Sequence, residues 1–171
     1  AVAAAPTAQA QELKIGMIGY SFMGKAHSNG FRQIPRFYPE LGVQPVMQVI
    51  CGRNRDAVKA AAETYGWEEY ETNWKKMVQR DDLDIIDICT PGNQHAPMAI
   101  AALEAGKHVI CEKPLTNTLA EAKDVLKAAK NTRKKTMVAF NYRRVPAIAL
   151  AKQLIEEGRI GEIFHWRAVY L

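Results

Sequence analysis

Short runs rich in isoleucine and valine recur along this chain, each separated from the next by enough residues for a helix. The runs are Leu13–Ile18, Val46–Cys51, Asp84–Cys89, His108–Cys111 and Thr136–Phe140. Most do not alternate with polar residues, which is the pattern of strands covered on both faces. Helical patterns fill the gaps at Lys25–Gln33, Arg55–Tyr65, Asn73–Gln79, Gln94–Ala105 and Thr118–Lys130, and a last one follows at Pro146–Glu157. Gly66, Gly106 and Gly158 stand where helix ends favour a left-handed residue. Thr118 with Glu121 makes a capping-box pattern, and Pro146 suits a first helical turn. This alternation predicts an α/β fold built on a doubly wound parallel sheet.

Composition narrows the partners. The chain has 171 residues, 48% hydrophobic and 24% charged, room for one domain and a piece of a second. No run approaches the roughly 18 apolar residues of a membrane helix, so no membrane partner is expected. A net charge of +5 is modest. The one tight basic cluster, Arg133-Lys134-Lys135, has no interleaved aromatics and reads as a solvated turn, so nucleic acid is not expected either. Cys51, Cys89 and Cys111 each close an apolar run without C-x-x-C spacing. They read as small buried residues, and no metal site or disulfide framework is expected.

The segment Gly19-Tyr20-Ser21-Phe22-Met23-Gly24 follows a strand pattern and opens a helix pattern, the context a dinucleotide fingerprint requires. Gly19 serves the tight turn, Gly24 the close approach of helix and strand, and backbone N–H groups around Ser21, Phe22 and Met23 would face a pyrophosphate. Ser21 replaces the usual middle glycine. At the end of the second strand the chain reads Cys51-Gly52-Arg53-Asn54-Arg55, with no acid before Asp56. Gly52 leaves space and Arg53 supplies a permanent positive charge, which favours NADP over NAD; the alternative is NAD held through backbone contacts. The third informative stretch is Lys107-His108-Val109-Ile110-Cys111-Glu112-Lys113-Pro114. Here an apolar strand ends in a carboxylate, an ammonium and a proline, where open parallel sheets place their ligand crevice.

Taken together these residues resemble the Gfo/Idh/MocA oxidoreductases, sugar and cyclitol dehydrogenases related to glucose–fructose oxidoreductase and inositol dehydrogenase. The resemblance rests on Ile15-Gly16-Met17-Ile18-Gly19 with Gly24 and His27, on Thr90-Pro91-Gly92-Asn93-Gln94-His95, on Ala105–Val109, and on Glu112-Lys113-Pro114. The later Val138–Arg144, with Ala151-Lys152 and Gly158–Gly161, is most similar to the levoglucosan dehydrogenase branch. The resemblance implies a Rossmann domain followed by an α+β substrate domain whose D-x-x-x-H pattern lies beyond this chain. It implies that Lys113 is the catalytic lysine, in contact with substrate and nicotinamide ribose, and often preceded in chain by a carboxylate and followed by a cis peptide to proline. Glu112 would orient it. Thr90, Pro91, Asn93 and His95 would pass along the cofactor, and Tyr142 and Arg143, as plausibly anchors of the Pro146 helix, would line the substrate side. His27 reads as a helix-packing residue near the phosphates.

The expected division is therefore a disordered tail or signal-peptide remnant over 1–12, an NAD(P)-binding domain over 13–145, and a linking helix with the first strand of a truncated second domain over 146–171. That strand is the run Ile163–Leu171, which needs a partner. Ala8-Gln9-Ala10 is similar to an export-signal cleavage site but lacks a charged n-region, so a cytoplasmic and a periplasmic location stay open. The implied activity is hydride transfer between nicotinamide and a ring hydroxyl of a sugar or polyol, with Lys113 relaying the proton, in a protein that forms homo-oligomers when full length. Two rivals stay open: an NAD-dependent glycoside hydrolase of the same fold, and a non-catalytic nucleotide-binding fragment.

Overall fold

A computed structural model describes residues 10–169. Its elements in chain order are β1 (Gln11–Ile18), α1 (Phe22–Phe37), β2 (Val43–Cys51), α2 (Arg55–Tyr65), β3 (Glu69–Glu71), α3 (Trp74–Val78), β4 (Ile85–Ile88), α4 (His95–Glu104), β5 (His108–Cys111), α5 (Leu119–Lys130), β6 (Thr136–Val138) and α6 (Pro146–Glu156). The six strands form one sheet in the order β3-β2-β1-β4-β5-β6, and every pair is parallel. The chain reverses its direction of travel across the sheet between β1 and β4. That is the doubly wound arrangement, with its ligand crevice beyond the carboxyl ends of these two central strands.

Residue identity explains the two layers. On one face Ile18, Val49, Cys51, Ile86, Ile88, Val109 and Cys111 pack with Met77, Leu83, Met98, Ala99, Ala102 and Val125 from the α3, α4 and α5 side. On the other face Ile15, Met17, Ile50 and Cys89 pack with Val58, Ala62 and Trp67. Neighbouring strand residues thus alternate between two buried layers, which is why the runs are continuously apolar. Cys51, Cys89 and Cys111 are all buried free thiols, and burial pushes Cys51 and Cys111 up to about 12.

Several boundaries differ from those expected. Gln11 and Glu12 pair with Val43 and Gln44, so the sheet reaches two residues into the segment expected as tail; residues 1–9 lie outside the described part. Helix α1 begins at Phe22 rather than Lys25 and runs through Pro35. Phe22 is 81% exposed, so no apolar periodicity marks the helix start. Pro35 lies in the final turn, and the ladder resumes with Tyr38 N–H donating to the Ile34 carbonyl at 2.9 Å. Strand β3 was not anticipated, because Glu69-Tyr70-Glu71 is too short and polar to stand out.

The chain divides into two compact units, one ending at Ala139 and the other starting at Phe140, rather than at the expected 145. The reason is local: the 3-10 turn Asn141–Arg144 packs on α6. In the second unit α6 forms as expected, but no strand forms between Ile163 and Val169. With no neighbouring strand to pair with among the described residues, an extended ladder has no hydrogen-bond partners; Tyr170 and Leu171 lie outside the described residues. Among those described, no helix is long and apolar enough to cross a membrane.

The core makes a direct prediction. Ile86 is fully buried in β4, so Ile86→Ala should lower unfolding free energy by about 2–5 kcal/mol, read as a shifted denaturation midpoint with an unchanged slope.

Candidate functional site

Three loops meet at the carboxyl ends of β1, β4 and β5. The first runs from Gly19 to Gly24. Gly19 has φ of 104°, a conformation that L side chains rarely adopt, and a Cβ there would lie 2.7 Å from the Cys89 carbonyl oxygen. A Cβ on Gly24 would collide with the Gly19 carbonyl oxygen, so α1 lies directly on the turn it grows from. Ser21 occupies the N-cap but makes no side-chain capping bond, and the first turn of α1 carries no acid. The N–H groups of that turn lack intrahelical partners by construction and point outward with the positive end of the helix dipole. The donor set therefore fits a pyrophosphate.

At the end of β2, Asn54 caps α2, its side chain accepting from the Ala57 N–H at 3.0 Å. Arg53 is exposed. The space over Gly52 is filled by the Tyr20 ring, which a Cβ there would strike. Gly52 thus makes room for a neighbouring loop residue.

The second loop follows β4. Thr90 is half-buried with its hydroxyl toward Met98 Sδ at 3.6 Å, and Pro91 and Asn93 are exposed. His95 differs from its expected place along the crevice surface. Its residue is 1% exposed, with Nδ1 2.7 Å from the Pro114 carbonyl oxygen and Nε2 2.7 Å from the Thr90 carbonyl oxygen. It ties the second loop to the third from inside.

The third loop is Glu112-Lys113-Pro114. The Lys113–Pro114 peptide is cis, as the family resemblance implies. Lys113 is exposed at the open end of the sheet and Glu112 is buried. Upstream, Lys107 is buried, its ammonium donating to the Arg80 carbonyl at 2.6 Å. Glu112 is held on both oxygens: Oε2 accepts the Lys113 N–H at 3.0 Å, and Oε1 lies 3.1 Å from His27 Nε2.

His27 is the residue that sequence reasoning undervalued. Its Nδ1 lies 2.8 Å from Asp87 Oδ2, so its ring spans two carboxylates instead of simply packing. The side chains are 18% exposed for His27 and fully buried for Asp87. The Cys89 thiol faces the same group, 3.4 Å from His27 Nδ1 and 3.7 Å from Asp87 Oδ1. These groups engage one another, and burial drives the Cys89 thiol well above its ordinary range, so the cluster is a closed hydrogen-bonded network. One signal was present in the sequence: Asp87 interrupts Ile85-Ile86-Asp87-Ile88, and a buried acid in a strand needs a partner.

The electrostatics follow from that enclosure. Burial opposes charge on His27, but the bonds and charges of Asp87 and Glu112 outweigh it and hold the imidazole above its usual value. Burial raises Asp87 more than His27 lowers it. The cluster therefore retains a proton where isolated groups would release it.

A glycine-bearing turn into a helix at the switch point of a parallel doubly wound sheet is the arrangement of a Rossmann domain. The sequence model of the Gfo/Idh/MocA oxidoreductase family, NAD-binding Rossmann fold, matches residues 13–140, and this chain belongs to that family. It is 47% identical over 161 residues to a levoglucosan dehydrogenase of Pseudarthrobacter phenanthrenivorans, covering 94% of this chain and 41% of that protein. An α-N-acetylgalactosaminidase of Shewanella oneidensis is 29% identical, over 95% of this chain and 36% of its own length. Among solved structures, levoglucosan dehydrogenase in complex with NADH and levoglucosan superposes with a TM-score of 0.87 at 47% identity, over 90% of this chain and 41% of the other. An oxidoreductase domain protein from Kribbella flavida gives 0.82 at 54% identity, over 88% and 41%. The chain thus spans about two fifths of the relatives it matches.

The His27 pair has a pH signature. A folded value raised above the unfolded one, about 6.5, means that its stabilisation is fully present below pH of about 6.5 and is lost as pH rises through the folded value. Unfolding free energies of wild type and His27→Gln, measured from acid to alkaline pH, should converge as pH rises; a gap that widens would contradict this sign.

Proposed function

We propose that this chain is the cofactor-binding part of a NAD(P)-dependent dehydrogenase acting on a ring hydroxyl or keto group of a sugar or cyclitol. The observation that carries the proposal is the Glu112-Lys113-Pro114 turn at the end of β5. It sets an exposed lysine at the carboxyl end of β5, one strand from the switch point between β1 and β4. The levoglucosan dehydrogenase relative, with its NADH and levoglucosan complex, supports the same substrate class.

In this reading the first turn of α1, from Ser21 to Gly24, binds the pyrophosphate through backbone N–H groups, with Gly19 shaping the turn. Thr90, Pro91 and Asn93 form the wall along the dinucleotide, with His95 holding that wall from behind. Nicotinamide accepts or returns the hydride when bound. As the neutral amine, Lys113 Nζ takes the proton from the substrate hydroxyl during oxidation and becomes an ammonium; in reduction that ammonium gives the proton to the carbonyl oxygen. Glu112 holds the turn that carries the lysine. Tyr142 and Arg143 belong to the substrate side, and the segment from Pro146 leads into a substrate domain through which full-length chains associate.

The two forms of the cofactor have separate support. NADH in the levoglucosan dehydrogenase structures supports NAD. The exposed guanidinium of Arg53, in a strand end whose own residues include no acid before Asp56, supports NADP. The site accordingly takes both, and Arg53 supplies the NADP part. A titration should show Arg53→Ala losing about tenfold in NADP affinity, the worth of one charge-assisted contact, while NAD affinity moves less than about twofold. Equal losses for both, or none, would remove Arg53 from cofactor choice.

The α-N-acetylgalactosaminidase relative keeps a second reading open, that of a glycoside hydrolase which oxidises and re-reduces its substrate in place. The two readings separate on cofactor turnover. A dehydrogenase accumulates reduced nicotinamide with sugar consumed; the hydrolase releases glycoside with none accumulated. Under the first reading, Lys113→Ala in the full-length protein should cut kcat by about 10²–10⁴ while dinucleotide affinity stays within about threefold.

A further inference from the structure

We propose that His27 is a positioning residue for Lys113, acting through Glu112, and that the same side chain locks the phosphate-loop helix to the lysine turn. The inference rests on the dehydrogenase reading for its functional consequence, but its structural half stands on geometry alone.

Three elements converge on one imidazole. His27 belongs to the second turn of α1, Asp87 to β4, and Glu112 to the first residue beyond β5. The two ring nitrogens face two different carboxylates, at 2.8 and 3.1 Å. Asp87 has no exposure and anchors the ring from the sheet. Glu112 is 5% exposed and has no remaining freedom, because its second oxygen accepts the N–H of Lys113 itself at 3.0 Å. A path of three consecutive hydrogen bonds therefore runs from the sheet centre to the lysine backbone. Removing the imidazole leaves two buried carboxylates facing each other's charge with nothing between them. Glu112 must then move or take up a proton, and either change weakens its hold on the Lys113 N–H.

The same bonds connect parts with separate tasks. Helix α1 presents its N-terminus to the phosphate, and Lys113 serves the reacting carbon. A misplacement of about 1 Å between such parts is enough to cost about 10² in rate. His27 touches neither the substrate nor the outward-facing N–H groups of α1. Its loss should therefore appear in the chemical step more than in cofactor affinity. Groups that orient other functional groups typically cost 10–100-fold when removed, as second-layer partners of metal ligands do.

The test uses the full-length protein as wild type, His27→Gln, His27→Ala, Lys113→Ala and the His27→Ala/Lys113→Ala double variant. Two readouts are taken. Hydrogen exchange should show the wild-type Lys113 amide protected by its bond to Glu112, with faster exchange there in His27→Ala and partial recovery in His27→Gln, whose amide reaches one carboxylate. Kinetics with NAD and sugar should show kcat lowered about 10–100-fold in His27→Ala, with NAD affinity within about threefold and no further loss when added to Lys113→Ala. Unchanged exchange at the Lys113 amide overturns the proposal whatever the activity. So does a His27→Ala defect that persists in the Lys113→Ala background, or one carried by NAD affinity alone. Sugar turnover absent from the wild type sinks the dehydrogenase reading instead, and the exchange result then decides the His27 linkage by itself.

Discussion

A carboxylate at the centre of the sheet sets the terms for this fold. Asp87 lies in β4 opposite Met17 on one side and Ile110 on the other, with no solvent exposure. An ionised group there is costly unless it is paired and hydrogen-bonded. Its partner comes from α1, so α1 must cross the sheet at the height of Asp87. Gly19 and Gly24 make that height attainable, because side chains at either position would push the helix off β1. The polar contact and the small residues thus specify the same docking. With α1 held there, its N-terminus stands at the carboxyl end of β1, where a phosphate site is wanted.

The remaining crevice loops are tied into this arrangement by protein groups. Glu112 joins the third loop to α1 through His27, and His95 joins the second loop to the third through two backbone carbonyls. Gly92 packs near Pro114 and Asn117, which brings the same two loops together at a second point. The geometry of the crevice is in this way built from internal contacts. A cofactor entering a preorganised site loses less of its binding energy to ordering the protein.

Much of this was legible in the sequence, for identifiable reasons. Continuous Ile and Val runs gave the buried strands, and the capping box at Thr118 and Glu121 gave the start of α5, because both are local signals. The Gly19–Gly24 turn and the Glu112-Lys113-Pro114 turn were readable because their chemistry requires particular residues at fixed spacing. What escaped was long-range or weakly encoded. His27 and Asp87 are 60 positions apart, and no periodicity links them. His95 has the same residue type whether it faces a cofactor or two carbonyls, so only the fold distinguishes these roles. The start of α1 is hidden by exposed Phe22 and uncapped Ser21. Strand β3 has three residues, and what holds it is long-range: its ladder with β2 and the ion pair of Glu69 with Arg80 at 2.7 Å, which local reading does not supply. Ile163–Val169 shows the converse failure: strand composition without a strand to pair with.

The end of β2 shows how the physical context limits an inference from residue type. Tyr20 fills the space over Gly52 and Asn54 is engaged in capping α2. Arg53 stands exposed beside them. An acid that hydrogen-bonds a 2′-hydroxyl discriminates by geometry and by repulsion of a 2′-phosphate. A guanidinium in solvent attracts the phosphate but repels nothing in its absence. At about 4 Å in water the attraction is about 1 kcal/mol, rising where the protein shields it, and salt screens it. Selectivity from such a group would therefore be one-sided and modest, adding affinity for a phosphorylated cofactor without removing affinity for the other. A strand end of this kind excludes neither form of the dinucleotide.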